Sequence, residues 1–100
     1  MKYEKLVRDK VIDIIKAKGE KVVFHIASDE EYWIKLKEKL SEEVLEFCES
    51  EREEELADIL EVIDAIAGYK GFNKGEIDKI KWDKAEKKGS FKNRIILDES

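Results

Sequence analysis

The chain reads as a mostly α-helical protein, a helical hairpin or bundle of about four helices that association with further copies completes. Three observations predict this. The 100 residues contain no proline, and the five glycines fall at expected helix ends or turns. Apolar residues recur at a period near 3.6 through the middle of the chain. Recognisable caps punctuate the helices, among them Ser28 with Glu31 three residues on. A chain of this length makes one domain, 1–100. Its 42% hydrophobic content supports only a modest core, so a dimer or tetramer is expected to enlarge it.

The elements follow in order. Leu6–Lys18 is predicted helical, with Val7, Val11, Ile14 and Ile15 inward and Gly19 as its C-cap. Lys21–Ala27 (KVVFHIA) is β-prone. Ser28 opens a long helix to about Ser50, whose apolar stripe is Trp33, Leu36, Leu40, Val44 and Phe47. After a turn near Ser50–Arg52, a third helix runs to Gly68–Gly71. Its apolar arc is Leu56, Ile59, Leu60, Ile63, Ile66 and Ala67. Asn73 caps a fourth helix over Lys74–Lys88, with Ile77, Ile80 and Trp82 as inward candidates, and Gly89–Ser90 ends it. Arg94–Leu97 (RIIL) is again β-prone, which leaves room for a small two-stranded sheet between Val22–Ile26 and Ile95–Leu97. Two strands alone are marginal and would have to lie on the helices.

Composition excludes several classes. Net charge is −5, which argues against a nucleic-acid partner. No apolar run suits a membrane span and no signal peptide is visible, so the expectation is a cytoplasmic protein. Cys48 is the one cysteine and His25 the one histidine. That leaves no disulfide framework, no thiolate metal site and no histidine triad, and Cys48 is expected as a small core residue. Glutamine and threonine are absent while lysine and glutamate abound, a charge-rich composition of the thermophile kind.

The segment Glu42–Asp58 (EEVLEFCESEREEELAD) holds nine acids and one arginine. Glu43 and Glu46 are three apart, as are Glu55 and Asp58, and residues three apart share a helix face. A turn near Ser50–Arg52 sets the pairs opposite each other, Glu46 level with Glu55 and Glu43 with Asp58. By helical phase Glu43 borders the apolar stripe and Glu55 lies inside an edge of the apolar arc. A partly buried carboxylate needs a compensating partner. Hard divalent cations take oxygen ligands of this type, which suggests magnesium, with manganese as a substitute. Most acidic pairs at this spacing are solvated helix surface. Glu49, Glu51, Glu53 and Glu54 are read that way. An acidic centre followed by a basic tail, nine cations against four acids from Lys70 to Arg94, suits a metal–polyphosphate ligand.

With these residues in view, the chain resembles the MazG-like all-α nucleoside triphosphate pyrophosphohydrolases, in particular the small branch related to phosphoribosyl-ATP pyrophosphohydrolase. The superfamily pattern EExxE, spacer, ExxD is met by Glu42-Glu43-x-x-Glu46 and Glu55-x-x-Asp58. KLVRDKV (Lys5–Val11) and KAEKKGSFKNRI (Lys84–Ile95) resemble further segments of that branch. The spacer, Phe47 to Glu54, is shorter than is usual there, and Ser90 stands where a glycine is common. The resemblance implies magnesium-dependent cleavage between the α and β phosphates, giving a monophosphate and pyrophosphate, in a site completed by the oligomer. Glu43, Glu46, Glu55 and Asp58 are then the metal ligands, and Glu42, Glu43 or Glu46 the general base.

Arg8, Lys10, Lys84, Lys88 and Arg94 are candidates to hold phosphates, the two arginines leading because a planar guanidinium matches phosphate geometry. The bland alternative for Arg8 is an ion pair with Asp9 or Asp13. For the base, Tyr32, Trp33, Trp82 and Phe91 are candidates. Trp33 reads as core and Phe91 as the leading contact. Two other functions compete with house-cleaning of the nucleotide pool. One is phosphoribosyl-ATP hydrolysis. The other is a non-catalytic helical protein that binds a partner through its charged faces.

Overall fold

The structure, a computed structural model, describes residues 4–100. Its elements are α1 (Val11–Ala17), α2 (Asp29–Ser50), α3 (Glu53–Lys70) and α4 (Lys74–Lys88). The described residues are therefore mostly α, with four helices, as their periodicity predicts.

The caps form where local chemistry places them. Ser28 Oγ accepts from the Glu31 amide at 3.2 Å, and Asn73 Oδ1 from the Glu76 amide at 3.1 Å. Only half of the expected capping box forms, because the Glu31 carboxylate turns to His25 Nε2 at 2.8 Å. Gly71 ends α3 at φ 72°, a conformation glycine takes without strain. Between α2 and α3 the connection is only Glu51 and Arg52. Glu51 sits at φ 57° and its amide donates to the Phe47 carbonyl at 2.7 Å. That tight reversal brings α2 and α3 together as an antiparallel hairpin, the extensive helix–helix packing of the described residues. At the far end Trp33 stacks on Tyr69, centroids 5.3 Å apart. The Tyr69 hydroxyl donates to the Asp29 carbonyl at 3.3 Å.

The core of the hairpin is small. Leu36, Val62 and Ala67 are its buried apolar residues, with Leu36 only 1% exposed. Each apolar arc is wider than the face one partner helix can cover. On α3 the covered edge centres on Glu55 and Val62, so Leu56, Leu60 and Ile63, expected inward, are exposed. Val44 of the α2 stripe is exposed too, and so is Cys48.

Four further expectations are corrected. Helix α1 begins at Val11 rather than Leu6. Lys5 and Arg8 instead reach across to acids of α2 and α3, and a segment drawn sideways in this way does not close helical turns. Ile14 is exposed rather than inward. Ile77, Ile80 and Trp82 of α4 are exposed, because α4 has no extensive packing partner. No strand forms among the described residues. Val23, Ile95, Ile96 and Leu97 stay 77–99% exposed, so neither β-prone run finds the apolar surface that two isolated strands require.

The Cα radius of gyration is 17.9 Å, against about 13 Å for a compact domain of this length. A hairpin with outlying α1, α4 and tail accounts for the excess. Among the described residues no helix is long and apolar enough to cross a membrane.

Candidate metal centre

Glu43 lies seven residues after Leu36, two helical turns along the same buried line of α2. It is 6% exposed, and Glu55 on α3 is 8% exposed. Carboxylate oxygens of Glu43, Glu55 and Asp58 lie within 4.8 Å of one another, as do those of Glu42, Glu43 and Glu46. The two triads share Glu43. The hairpin thus brings together Glu42 and all four acids paired by spacing, with Glu43 at the centre.

Cations ring the cluster. Lys39 Nζ lies 3.4 Å from Glu43 Oε1 and 3.5 Å from Glu42 Oε1. Lys5 Nζ is 3.4 Å from Glu42 Oε1, Arg52 Nη2 is 3.3 Å from Glu55 Oε1, and Arg8 Nη2 is 2.8 Å from Asp58 Oδ1. Arg8 therefore pairs with a metal-ligand candidate 50 residues away, not with its neighbours Asp9 or Asp13. Lys39 was not singled out by sequence reasoning. The signal was present, since it precedes Glu43 by four residues on one helix face. Glu46 is the cluster acid with no ion pair among the described residues. Its carboxyl is raised above its ordinary value, first by the charge of Glu43, then by desolvation and a side-chain hydrogen bond with Glu43, with the charges of Glu55 and Glu42 adding to it.

Within this ring one atom is left over. Glu43 Oε2 is buried and accepts no hydrogen bond. An orphaned buried carboxylate oxygen is costly, and a cation bound among these oxygens would satisfy it. All donors are hard carboxylate oxygens, the set magnesium and manganese favour, so the residues fit a divalent ion.

A cleft of about 420 Å³ opens beside the cluster, and Arg8, Lys10, Tyr32, Lys39, Glu43 and Asp58 all line it. Arg8 and Lys10 thus share the cleft with the acids, together with one candidate base contact, Tyr32. Trp33 is half-buried against Tyr69, with Lys70 Nζ 4.7 Å from its centroid. Lys88, Phe91 and Arg94 line a separate groove made only of residues 88–96, and Lys84 lines neither. Phe91 is 97% exposed and Trp82 63%. Arg94 stands at φ 57°, and its amide donates to the Phe91 carbonyl at 3.3 Å, closing a turn that holds the two side chains in one groove.

No family model matches the chain, and no solved structure matches it. A protein of Mycolicibacterium smegmatis, described as an uncharacterized protein, is 49% identical to it over 41 residues, 41% of this chain and 42% of that one. The chain thus spans less than half the length of this relative.

Proposed function

We propose that this protein is a magnesium-dependent nucleotide pyrophosphohydrolase that cleaves a nucleoside triphosphate between its α and β phosphates. The observation that carries the reading is Glu43, which is buried, belongs to two overlapping carboxylate triads and has an oxygen, Oε2, that accepts no hydrogen bond among the described residues. Glu43, Glu46, Glu55 and Asp58 would hold the ion. When bound, magnesium neutralises the repulsion between carboxylates and phosphates and acidifies a nearby water. Glu42, Glu43 or Glu46 takes the role of general base. Lys39 keeps Glu42 and Glu43 in place. Arg8 and Lys10 supply positive charge in the same cleft, where they meet the phosphates, and Tyr32 offers an aromatic face to the base.

A self-associated form belongs to this reading. Val44, Leu45, Leu56, Leu60 and Ile63 are 41–61% exposed, an apolar surface that a second copy would cover. Sedimentation at micromolar concentration should give at least twice the 11.7 kDa chain mass, and Leu60→Glu should shift it to a single chain. A wild-type monomer overturns the expectation.

The ring of cations favours the competing, non-catalytic reading, in which the acids are merely paired. Incubation with magnesium and a panel of nucleoside triphosphates, read as pyrophosphate released, decides between the two. Release is expected, and none from any substrate rejects the enzyme. In the same assay Lys10→Ala is expected to raise KM about tenfold or more, the loss of ~1.4 kcal/mol of phosphate binding. Unchanged kinetics would leave Lys10 outside the site.

A further inference from the structure

The segment before α1 crosses the acid cluster. Lys5 pairs with Glu42 at 3.4 Å and Arg8 with Asp58 at 2.8 Å, partners 37 and 50 residues away in the chain. The segment has no helical ladder of its own, and its backbone joins α1 through the Val11 amide donating to the Arg8 carbonyl at 3.0 Å. Its Arg8–Asp58 pair is short but open to solvent, with the Arg8 side chain 58% and the Asp58 side chain 38% exposed. An open pair of this kind exchanges easily. Lys39 differs: it is fixed on α2 itself, with its side chain only 19% exposed. Glu43, whose carboxylate lies within 4.8 Å of that of Asp58, is more than nine-tenths buried, and its Oε2 accepts no hydrogen bond among the described residues.

We propose that Lys5–Lys10 is a cationic strap over the metal centre, and that Arg8 is a phosphate-binding residue which a divalent ion displaces from Asp58. The inference rests on the reading of the acids as a divalent-cation site. The guanidinium and the ion compete for the same Asp58 carboxylate. A divalent ion reaching Glu43, Glu55 and Asp58 together gathers three carboxylates, while Arg8 holds one, so the ion wins. Arg8 is then released within the cleft it already lines, with a planar fork suited to a phosphate. A freed guanidinium beside a divalent ion is repelled unless an anion lies between them. Metal and phosphate binding therefore become cooperative, and by linkage each strengthens the other equally.

The test is Mn²⁺ titration calorimetry on wild type, Arg8→Ala and Arg8→Lys, with metal alone. Because the strap competes with the ion, Arg8→Ala is expected to bind Mn²⁺ about fivefold or more tightly than wild type. Arg8→Lys keeps the charge and should stay near wild type. A merely structural Arg8 would give the opposite sign. Tryptic cleavage after Arg8 and Lys10 of the wild-type protein, followed by mass spectrometry, needs no variant: saturating Mn²⁺ should speed it severalfold. If wild type binds Mn²⁺ while Arg8→Ala binds equally or more weakly, or cleavage is not accelerated, the strap is overturned and the metal centre stands. If wild type binds no Mn²⁺, the metal centre itself is rejected, and the strap with it.

Discussion

Glu43→Gln is expected to weaken divalent-cation binding by about a hundredfold or more, beyond the 10–100-fold typical of residues that only orient a ligand. Pyrophosphate release should fall with it. Glu43 belongs to both triads, so no other single substitution removes an oxygen from both. The metal-free protein should respond in the opposite sense. The substitution removes a buried charge and its unpartnered oxygen, and it removes the main cause of the raised Glu46 pKa.

The sign of the pH effect follows from Glu46. A carboxyl that titrates higher in the folded than in the unfolded chain binds more protons when folded. Stability therefore falls as pH rises from about the ordinary value of 4.5 through the raised folded value. In EDTA, wild type should lose thermal stability across that window, and Glu43→Gln should lose less. With Mn²⁺ present, affinity should weaken as pH falls into the same window, because the proton on Glu46 competes with the ion. A Glu43→Gln protein that binds Mn²⁺ like wild type would reject the shared centre.

Leu36→Ala should be the most damaging apolar truncation. Leu36 is the fully buried large side chain of the described residues, at 1% exposure. Loss of such a side chain costs ~3 kcal/mol through transfer and cavity terms, a large part of the total stability of a small domain. For a chain of this size that lowers the thermal midpoint by roughly 15 °C, measurable by circular dichroism at 222 nm. Leu60→Ala separates an isolated chain from a self-associated one. At 61% exposure it should cost less than about 0.5 kcal/mol in an isolated chain. A loss comparable to Leu36→Ala would mean that a second copy buries Leu60.

Much of the hairpin was legible from residues close together in the chain. Ser28, Asn73 and Gly71 mark helix ends by bonds to amides or carbonyls a few positions away. The acid pairs were legible for the same reason, since spacing by three on helices joined by a two-residue turn leaves their oxygens little freedom. Helical phase also placed Glu43 and Glu55 near the apolar face, and both are buried. Periodicity did not say which edge of a broad arc would be covered. Leu56, Leu60 and Ile63 are as apolar as Val62, yet only Val62 is buried among them.

The sequence by itself determined the helices, the reversal at Glu51–Arg52 and the convergence of acids, because each depends on contacts within a few residues or across one short turn. Only the tertiary structure decided the rest. It drew Arg8 to Asp58 and Lys5 to Glu42, set Glu43 Oε2 apart without a partner, and left both β-prone runs unpaired. These outcomes turn on where distant parts of the chain return in space. Charge and apolarity in a sequence state what a residue can bind, and the packed backbone selects the partner that arrives.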